Sequence, residues 1–232
     1  FGQTEQKVVG VIPHYAVGAE WSSTLYLTVG GGGCEYRIDF MNTSGQVNHS
    51  HTIVAKTLQP WLTSTVKYEV PSSESLRHGP ILIWTNRITE EQPYYNPYQR
   101  HCWVDRAELV FSAVYPGQKY DGSVRMNKPV FSYPRLTLAS TFQYGIALYN
   151  HSSEAVNLGY MVSDAATGGI LRTGGSIALG AKEQKIFVLN SIIPEAATQM
   201  VTVQFLAIPT MDVYATVLKF NSDRGFSTVE IY

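Results

Sequence analysis

The sequence is poor in charge. Lys, Arg, Asp and Glu together make up 15% of the 232 residues, the formal net charge is −1, and no block of like charges occurs. Binding to nucleic acid needs clustered Lys and Arg that displace counterions from phosphates, and binding to an anionic membrane surface needs a basic face. We therefore expect neither a nucleic acid nor a charged lipid surface as the partner.

Long apolar runs are missing as well. No stretch approaches the roughly 20 residues that a helix needs to cross a bilayer, so no membrane span is expected. Residues 1–6 contain neither the basic nor the apolar region of a signal peptide. We interpret the chain as an extracellular or cell-surface protein whose signal peptide has already been removed, and a cytosolic protein is the alternative.

Motifs of catalysis and cofactor binding are also absent. The chain has no G-x-S-x-G, H-E-x-x-H or C-x-x-C sequence, and no Ser, His and Asp spacing that indicates a triad. The glycines at 30–33 precede a strand pattern instead of the helix and Lys-Ser/Thr pair of a phosphate-binding loop. We predict a protein that is not an enzyme and that holds no cofactor.

Six histidines raise the question of a metal site. His49 and His51 would lie on one face of a strand, and His101 adjoins Cys102. A zinc site needs three or four convergent ligands with supporting partners. The remaining candidates are scattered, so surface imidazoles and no metal are predicted.

Alternation of apolar and polar residues with a period of two runs through most of the chain. Apolar residues make up 44% of the sequence, and Thr, Ser, Tyr, Asn and Gly supply most of its polarity, which suits strand faces and turns. The pattern predicts an all-β protein, with helical turns only near residues 72–76 and 194–198. The predicted strands are residues 24–29, 35–40, 51–56, 64–70, 80–85, 108–115, 143–149, 157–162, 170–173, 185–189, 200–206 and 213–221.

An internal repeat organises these strands. Residues 107–126 align without a gap with residues 213–232, and each segment consists of a strand, a turn region and a short closing strand. Upstream, residues 24–29 correspond to residues 144–149. The order of elements predicts two tandem Ig-like antiparallel β-sandwich domains that pack against each other. The predicted domains are residues 1–126, with an aromatic insert at 87–103, and residues 127–232.

The same segments carry a family resemblance. Pro13, Gly18 and Trp21 precede the first strand of the repeat, and residues 144–150 and 219–228 hold the matching parts of the second half. This arrangement resembles uncharacterised tandem β-sandwich extracellular proteins of environmental bacteria. The resemblance covers most of the chain, and it implies secretion and a sandwich fold but no particular reaction.

Cys34 and Cys102 are the only cysteines, and both lie in the first predicted domain just before strands. An even number of cysteines in a secreted β-domain indicates a disulfide. Two buried thiols that are not bonded to each other are the alternative, because sequence does not give the distance between them.

The aromatic insert is the most unusual stretch. Tyr94, Tyr95, Tyr98 and Trp103 offer flat apolar faces with a hydrogen-bonding edge, which suits stacking on sugars or anchoring a protein contact. Alternatively, the insert is a loop braced by proline whose aromatic rings cover the end of the sandwich or the boundary between domains.

These observations favour a non-enzymatic extracellular structural or surface protein that contacts protein partners, including copies of itself, through β-surfaces. The alternative function is a carbohydrate-binding module that uses the aromatic loop. We also predict that residues 1–9 form a strand or dock on a neighbouring chain, because their polar start cannot be held by apolar burial. If they pair within the same chain, they are an additional strand.

Overall fold

The computed structural model describes residues 7–30, 34–55, 63–85, 102–115, 118–126, 135–206, 212–220 and 226–229. These residues form sixteen β-strands, one four-residue α-helix and one 3-10 turn, so the predicted all-β class is confirmed. In the first half the strands are β1 (Lys7–Val17), β2 (Trp21–Gly30), β3 (Glu35–Met41), β4 (Val47–Val54), β5 (Thr63–Glu69), β6 (Arg77–Thr85), β7 (Trp103–Tyr115) and β8 (Gln118–Arg125). In the second half they are β9 (Arg135–Leu138), β10 (Gln143–Asn150), β11 (Val156–Asp164), β12 (Ile170–Leu179), β13 (Gln184–Val188), β14 (Val201–Leu206), β15 (Val213–Phe220) and β16 (Phe226–Val229). The helix α1 (Leu189–Ile192) and the 3-10 turn (Pro194–Ala197) lie between β13 and β14.

The strands form four antiparallel sheets of four strands each. The first half has the orders β1-β6-β3-β4 and β5-β2-β7-β8, and the second half has β9-β14-β11-β12 and β13-β10-β15-β16. Adding eight to each strand number of the first half gives the strand orders of the second half, so that β1 corresponds to β9 and β8 corresponds to β16. The same strand order therefore occurs twice in one chain.

The two segments of the ungapped alignment have equivalent places in this order. Residues 107–126 contain most of β7 and all of β8, and residues 213–229 contain β15 and β16, with β2 and β10 as the respective neighbours. The domain boundaries remain a prediction, because residues 127–134, which follow the predicted boundary, lie outside the described residues.

Each half has its own apolar core between its two sheets. In the first half the inward residues of β2 and β7 alternate with exposed or half-buried neighbours, as the period-two pattern predicted, whereas the last four residues of β3 are all buried. The core of the second half also includes Leu189 and Ile193 from the helical segment. The largest fully buried side chains are Tyr15, Tyr36, Tyr149, Phe40, Phe111 and Phe205.

Residues 10–17 of β1 are absent from the sequence prediction, which placed a possible strand at residues 1–9 only. These residues are buried on both faces, so the alternation of apolar and polar residues is lost. The strand also contains Pro13, where the register against β6 shifts between Ile12 and Tyr15. Proline fits this place because a bulge at a sheet edge does not require its missing N–H. The position of β1 in the strand order corresponds to that of β9 in the second half.

The described end of the N-terminal segment pairs within the chain. Lys7 lies opposite Thr85 and Val8 lies opposite Trp84 of β6. The first six residues of the predicted docking segment lie outside the described residues.

The predicted helical turn at residues 194–198 corresponds to the 3-10 turn, whereas residues 72–76 form a bend and no helix. The backbone carbonyls of Ser73 and Ser75 lie against Gly18, where a Cβ would not fit and where φ is +91°. The segment therefore directs its carbonyls at the β1–β2 turn instead of closing a helical turn.

The predicted disulfide is confirmed. Cys34 and Cys102 are bonded, with a Cα–Cα distance of 5.7 Å and a separation of 68 positions in sequence. Both side chains are buried in the core of the first half. The bond joins the residue before β3 of one sheet to the residue before β7 of the other, so it links the two layers of the sandwich.

Replacing both cysteines by alanine should lower the free energy of unfolding by about 4 kcal/mol, because the bond closes a long loop in the unfolded chain. Urea denaturation of the variant and of the wild type measures the difference. A loss below about 1 kcal/mol would contradict a structural role for the bond.

Candidate functional site

The predicted aromatic site is only partly described. Tyr94, Tyr95 and Tyr98 lie outside the described residues. Trp103 begins β7 opposite Gly30 of β2, and its ring lies so close to Gly30 that a Cβ there would not fit. The Trp103 carbonyl accepts a hydrogen bond from the Tyr36 hydroxyl at 3.0 Å. This half-buried ring is therefore part of the sandwich wall beside the disulfide, and sugar binding by the loop stays a prediction.

His49 and His51 share one face of β4, as the sequence predicted. The His51 ring stacks on Tyr68 with centroids 3.8 Å apart, and His49 Nε2 lies 2.6 Å from the Tyr68 hydroxyl. Burial, followed by the charge of His49, lowers the pKa of His51. Across the described ranges, no three His, Cys, Asp or Glu side chains converge in a way that could hold a metal ion. These imidazoles join the β4 edge to the β5 edge.

The two halves meet along an interface that we call the seam. Its apolar centre consists of Val11, Met41 and Leu82 from the first half and Tyr149 and Tyr214 from the second. Burial raises the pKa of both tyrosine hydroxyls, and Asp212 raises it further. The seam therefore has the character of a protein core.

Polar contacts fix the register of the seam. Gln184, the first residue of β13, donates a backbone hydrogen bond to the Thr43 carbonyl at 2.9 Å. Its side-chain Nε2 donates to the Pro13 carbonyl at 2.5 Å. Gln184 is buried, so these bonds are shielded from competition by water.

A pocket of about 220 Å³ opens beside these contacts, and we call it the seam pocket. Its walls come from β1, β2, β6 and β7 and the bend before β6 in the first half, and from β10, β13 and β15 in the second. The described lining residues are His14, Ala16, Trp21, Leu76, His78, Phe111, Gly145, Ile146, Ala147, Ile186, Thr216, Leu218 and Phe220. Ligand sites often lie at such boundaries between domains.

Several buried polar atoms in this region have no hydrogen-bond partner among the described residues. They are Thr216 Oγ1, His78 Nδ1 and Gln184 Oε1. Thr216 and His78 line the pocket, and Gln184 lies next to it, with Nε2 3.4 Å from His14 Nδ1. A buried polar atom without a partner lowers stability, so three of them at one place distinguish this pocket from an ordinary packing gap.

The bulge at Pro13 gives His14 its place on the seam side of β1, and its ring lies 6.1 Å from the His78 ring and 6.3 Å from the Phe111 ring. Burial, and secondarily the charge of His78, lowers the pKa of His14 to about 3. His14 is therefore neutral at ordinary pH. The pocket's described lining contains no Asp, Glu, Lys or Arg, so its chemistry suits binding of a neutral molecule.

Sequence reasoning did not find this pocket. His14, His78 and Thr216 are far apart in the chain and belong to no motif. One signal was available: β10 and β15 are nearly unbroken apolar runs, and such runs are typical of strands buried on both faces.

Comparison with protein-family models, with curated proteins and with solved structures finds no match to this chain. The resemblance to extracellular tandem sandwich proteins therefore remains a prediction. Within the described ranges, no helix has the length and apolar character needed to cross a membrane.

Thr216→Val should raise the free energy of unfolding by about 1 kcal/mol, because it replaces an unpartnered buried hydroxyl by a methyl group of similar size. Thr137→Val, on an exposed position of β9, is the matched control and should change stability by less than about 0.5 kcal/mol. Urea denaturation measures both. A destabilised Thr216→Val protein would show that the hydroxyl has a partner in the folded chain.

Stability should fall as the pH is lowered from about 6.5 towards 3. In the unfolded chain His14 takes up a proton near its ordinary pKa, whereas in the folded chain it stays neutral until about pH 3. When the pH falls from 6.5 to 4.5, the free energy of unfolding should decrease by about 2 kcal/mol less in His14→Gln than in the wild type. Urea midpoints across this range test it, and equal losses in the two proteins would contradict burial of a neutral His14.

Proposed function

We propose that the chain is a non-enzymatic extracellular structural or surface protein in which two Ig-like sandwich domains form one rigid block. Ig-like is meant in the architectural sense: two antiparallel sheets packed face to face, repeated in units of about 100 residues. The block acts through contacts between its β-surfaces and other proteins, including copies of itself.

The observation that carries the proposal is the seam. The sheet β13-β10-β15-β16 is covered on one face by the core of its own half. The other face of its central strands β10 and β15, with Tyr149, Tyr214, Ala147 and Thr216, is buried against the first half. A binding protein that works by motion between its domains needs a smaller and more polar interface between them. A fixed boundary suits a component that holds a shape and presents a surface.

The disulfide supports an extracellular location. A bond between Cys34 and Cys102 persists in oxidising compartments and is rare in the cytosol of most organisms. The absence of a free thiol among the described cysteines is consistent with that environment.

The outer face of the sheet β5-β2-β7-β8 differs from the equivalent face at the seam. In place of the apolar seam residues it carries Thr24, Thr28, Thr65, Lys67 and Arg106, which are exposed or half-buried. Thr28 and Thr65 are hydrogen bonded to each other at 2.9 Å. In repeat proteins a polar outer face is typical of the terminal unit, so association of another sandwich with this face by the packing seen at the seam is disfavoured.

The edges of the first half offer another route to association. Among the described residues no strand pairs with the outer edges of β4 and β5. β5 pairs with β2 over seven residues without a register shift, so its outer edge is regular. Val47 and Val54 of β4 are each about half exposed. A regular edge, as in β5, and exposed apolar residues, as in β4, each favour pairing with another chain.

The double variant Val47→Lys/Val54→Lys should abolish self-association, because two charges on β4 oppose edge pairing. Analytical ultracentrifugation of the wild type should show assembly that increases with protein concentration. Met200→Lys, at a similarly exposed position before β14, is the control and should assemble like the wild type.

A wild-type protein that remains monomeric up to about millimolar concentration would contradict self-association through this edge. Assembly that persists in the double variant would place the contact on another surface.

A further inference from the structure

We propose that the seam pocket is a binding site for a small neutral molecule with one compact apolar ring and one hydroxyl group. This site is separate from the β4 and β5 edges that we assign to protein contacts. It belongs to the two halves together, because each contributes walls to it.

The size and lining of the pocket define the apolar part of the ligand. A cavity of about 220 Å³ exceeds the roughly 150 Å³ of an engineered apolar cavity that binds benzene in another protein. The aromatic walls are Trp21, Phe111 and Phe220, and Trp21 packs edge-on against Phe111 with centroids 6.3 Å apart. Ala147 and Leu218 complete the apolar surface. Such walls favour a ring that makes stacked or edge contacts.

The described lining contains no Asp, Glu, Lys or Arg side chain. A carboxylate or ammonium group would lose its hydration there without a permanent opposite charge to replace it. His14 and His78 are the titratable groups of the described lining, and burial keeps His14 neutral at ordinary pH. The ligand is therefore neutral.

Thr216 supplies the polar anchor. Its side chain lines the pocket, the residue is only 2% exposed, and its Oγ1 has no partner among the described residues. His78 Nδ1 is a second such atom in the same lining. A ligand hydroxyl both donates and accepts, so it satisfies an unpartnered hydroxyl and an unpartnered imidazole nitrogen.

The entrance lies between the halves. Leu76 of the first half and Ile186 of the second are lining residues, and they are 49% and 45% exposed. Exposed apolar side chains at the mouth of a pocket give an apolar ligand a continuous path from the surface. A bulky residue at either position should obstruct that path.

Isothermal titration calorimetry on the full chain tests the site with p-cresol, toluene and benzoate as probes. We expect p-cresol and toluene to bind and benzoate to bind at least about tenfold more weakly, because of its charge. Thr216→Val should weaken the binding of p-cresol about tenfold and leave the binding of toluene unchanged, since only p-cresol can form a hydrogen bond with the Thr216 hydroxyl.

Ile186→Trp should abolish binding of both neutral probes by covering the entrance. Val188→Trp is the matched control, because Val188 is similarly exposed on the same strand but is not part of the described lining, and it should bind like the wild type. If Ile186→Trp fails to fold by thermal unfolding, Leu76→Trp takes its place.

The proposal is overturned if neither neutral probe binds to the wild type. It is also overturned if binding is the same in the entrance variant and its control, or if Thr216→Val weakens toluene as much as p-cresol. These outcomes leave the surface-protein proposal intact, since that proposal depends on assembly through the β4 and β5 edges.

Discussion

Burial of β10 and β15, the central strands of the sheet β13-β10-β15-β16, on both faces is the constraint on which the rest of the structure depends. A sheet with one solvent-exposed face needs only the other sheet of its own sandwich, whereas a sheet with two apolar faces needs a further layer to cover its second face. Here that layer is the first half, through Val11, Met41 and Leu82. The edge strand β1 consequently lies against β10 and β15, which protects its outer side from unwanted pairing. One interface thus fixes the arrangement of the halves and protects an edge.

The same strand order in the two halves shows that equal topology does not impose equal surfaces. Tyr26 on β2 and Ala147 on β10 belong to equivalent strands, yet Tyr26 is partly exposed and Ala147 is buried at the seam. Residues such as Thr24 and Lys67 keep the outer face of the first half polar. A polar face disfavours the packing of a further sandwich on that side. The disulfide also breaks the equivalence, because it links the sheets of the first half only.

Local pattern was enough to predict most strands, the disulfide and the correspondence between the halves, because each depends on alternation, spacing or composition. Residues 10–17 of β1 were missed because burial on both faces removes alternation and Pro13 argues against a strand. The bend at residues 72–76 was predicted as helix, and only the packing of its carbonyls on Gly18 explains its course. The seam pocket was out of reach, since His14, His78 and Thr216 meet only after the halves have packed.

The seam makes the two halves one cooperative unit, and denaturation followed by two probes tests this most directly. All four tryptophans, at positions 21, 61, 84 and 103, lie in the first half, so tryptophan fluorescence reports on that half and, through Trp21 and Trp84, on its contact with the second half. Far-ultraviolet circular dichroism reports on the strands of both halves. A fixed seam predicts that the two signals change in one coincident transition in urea, and that Ala147→Asp at the buried seam shifts both midpoints down together. Two separate transitions, or a shift confined to the circular dichroism signal, would contradict it.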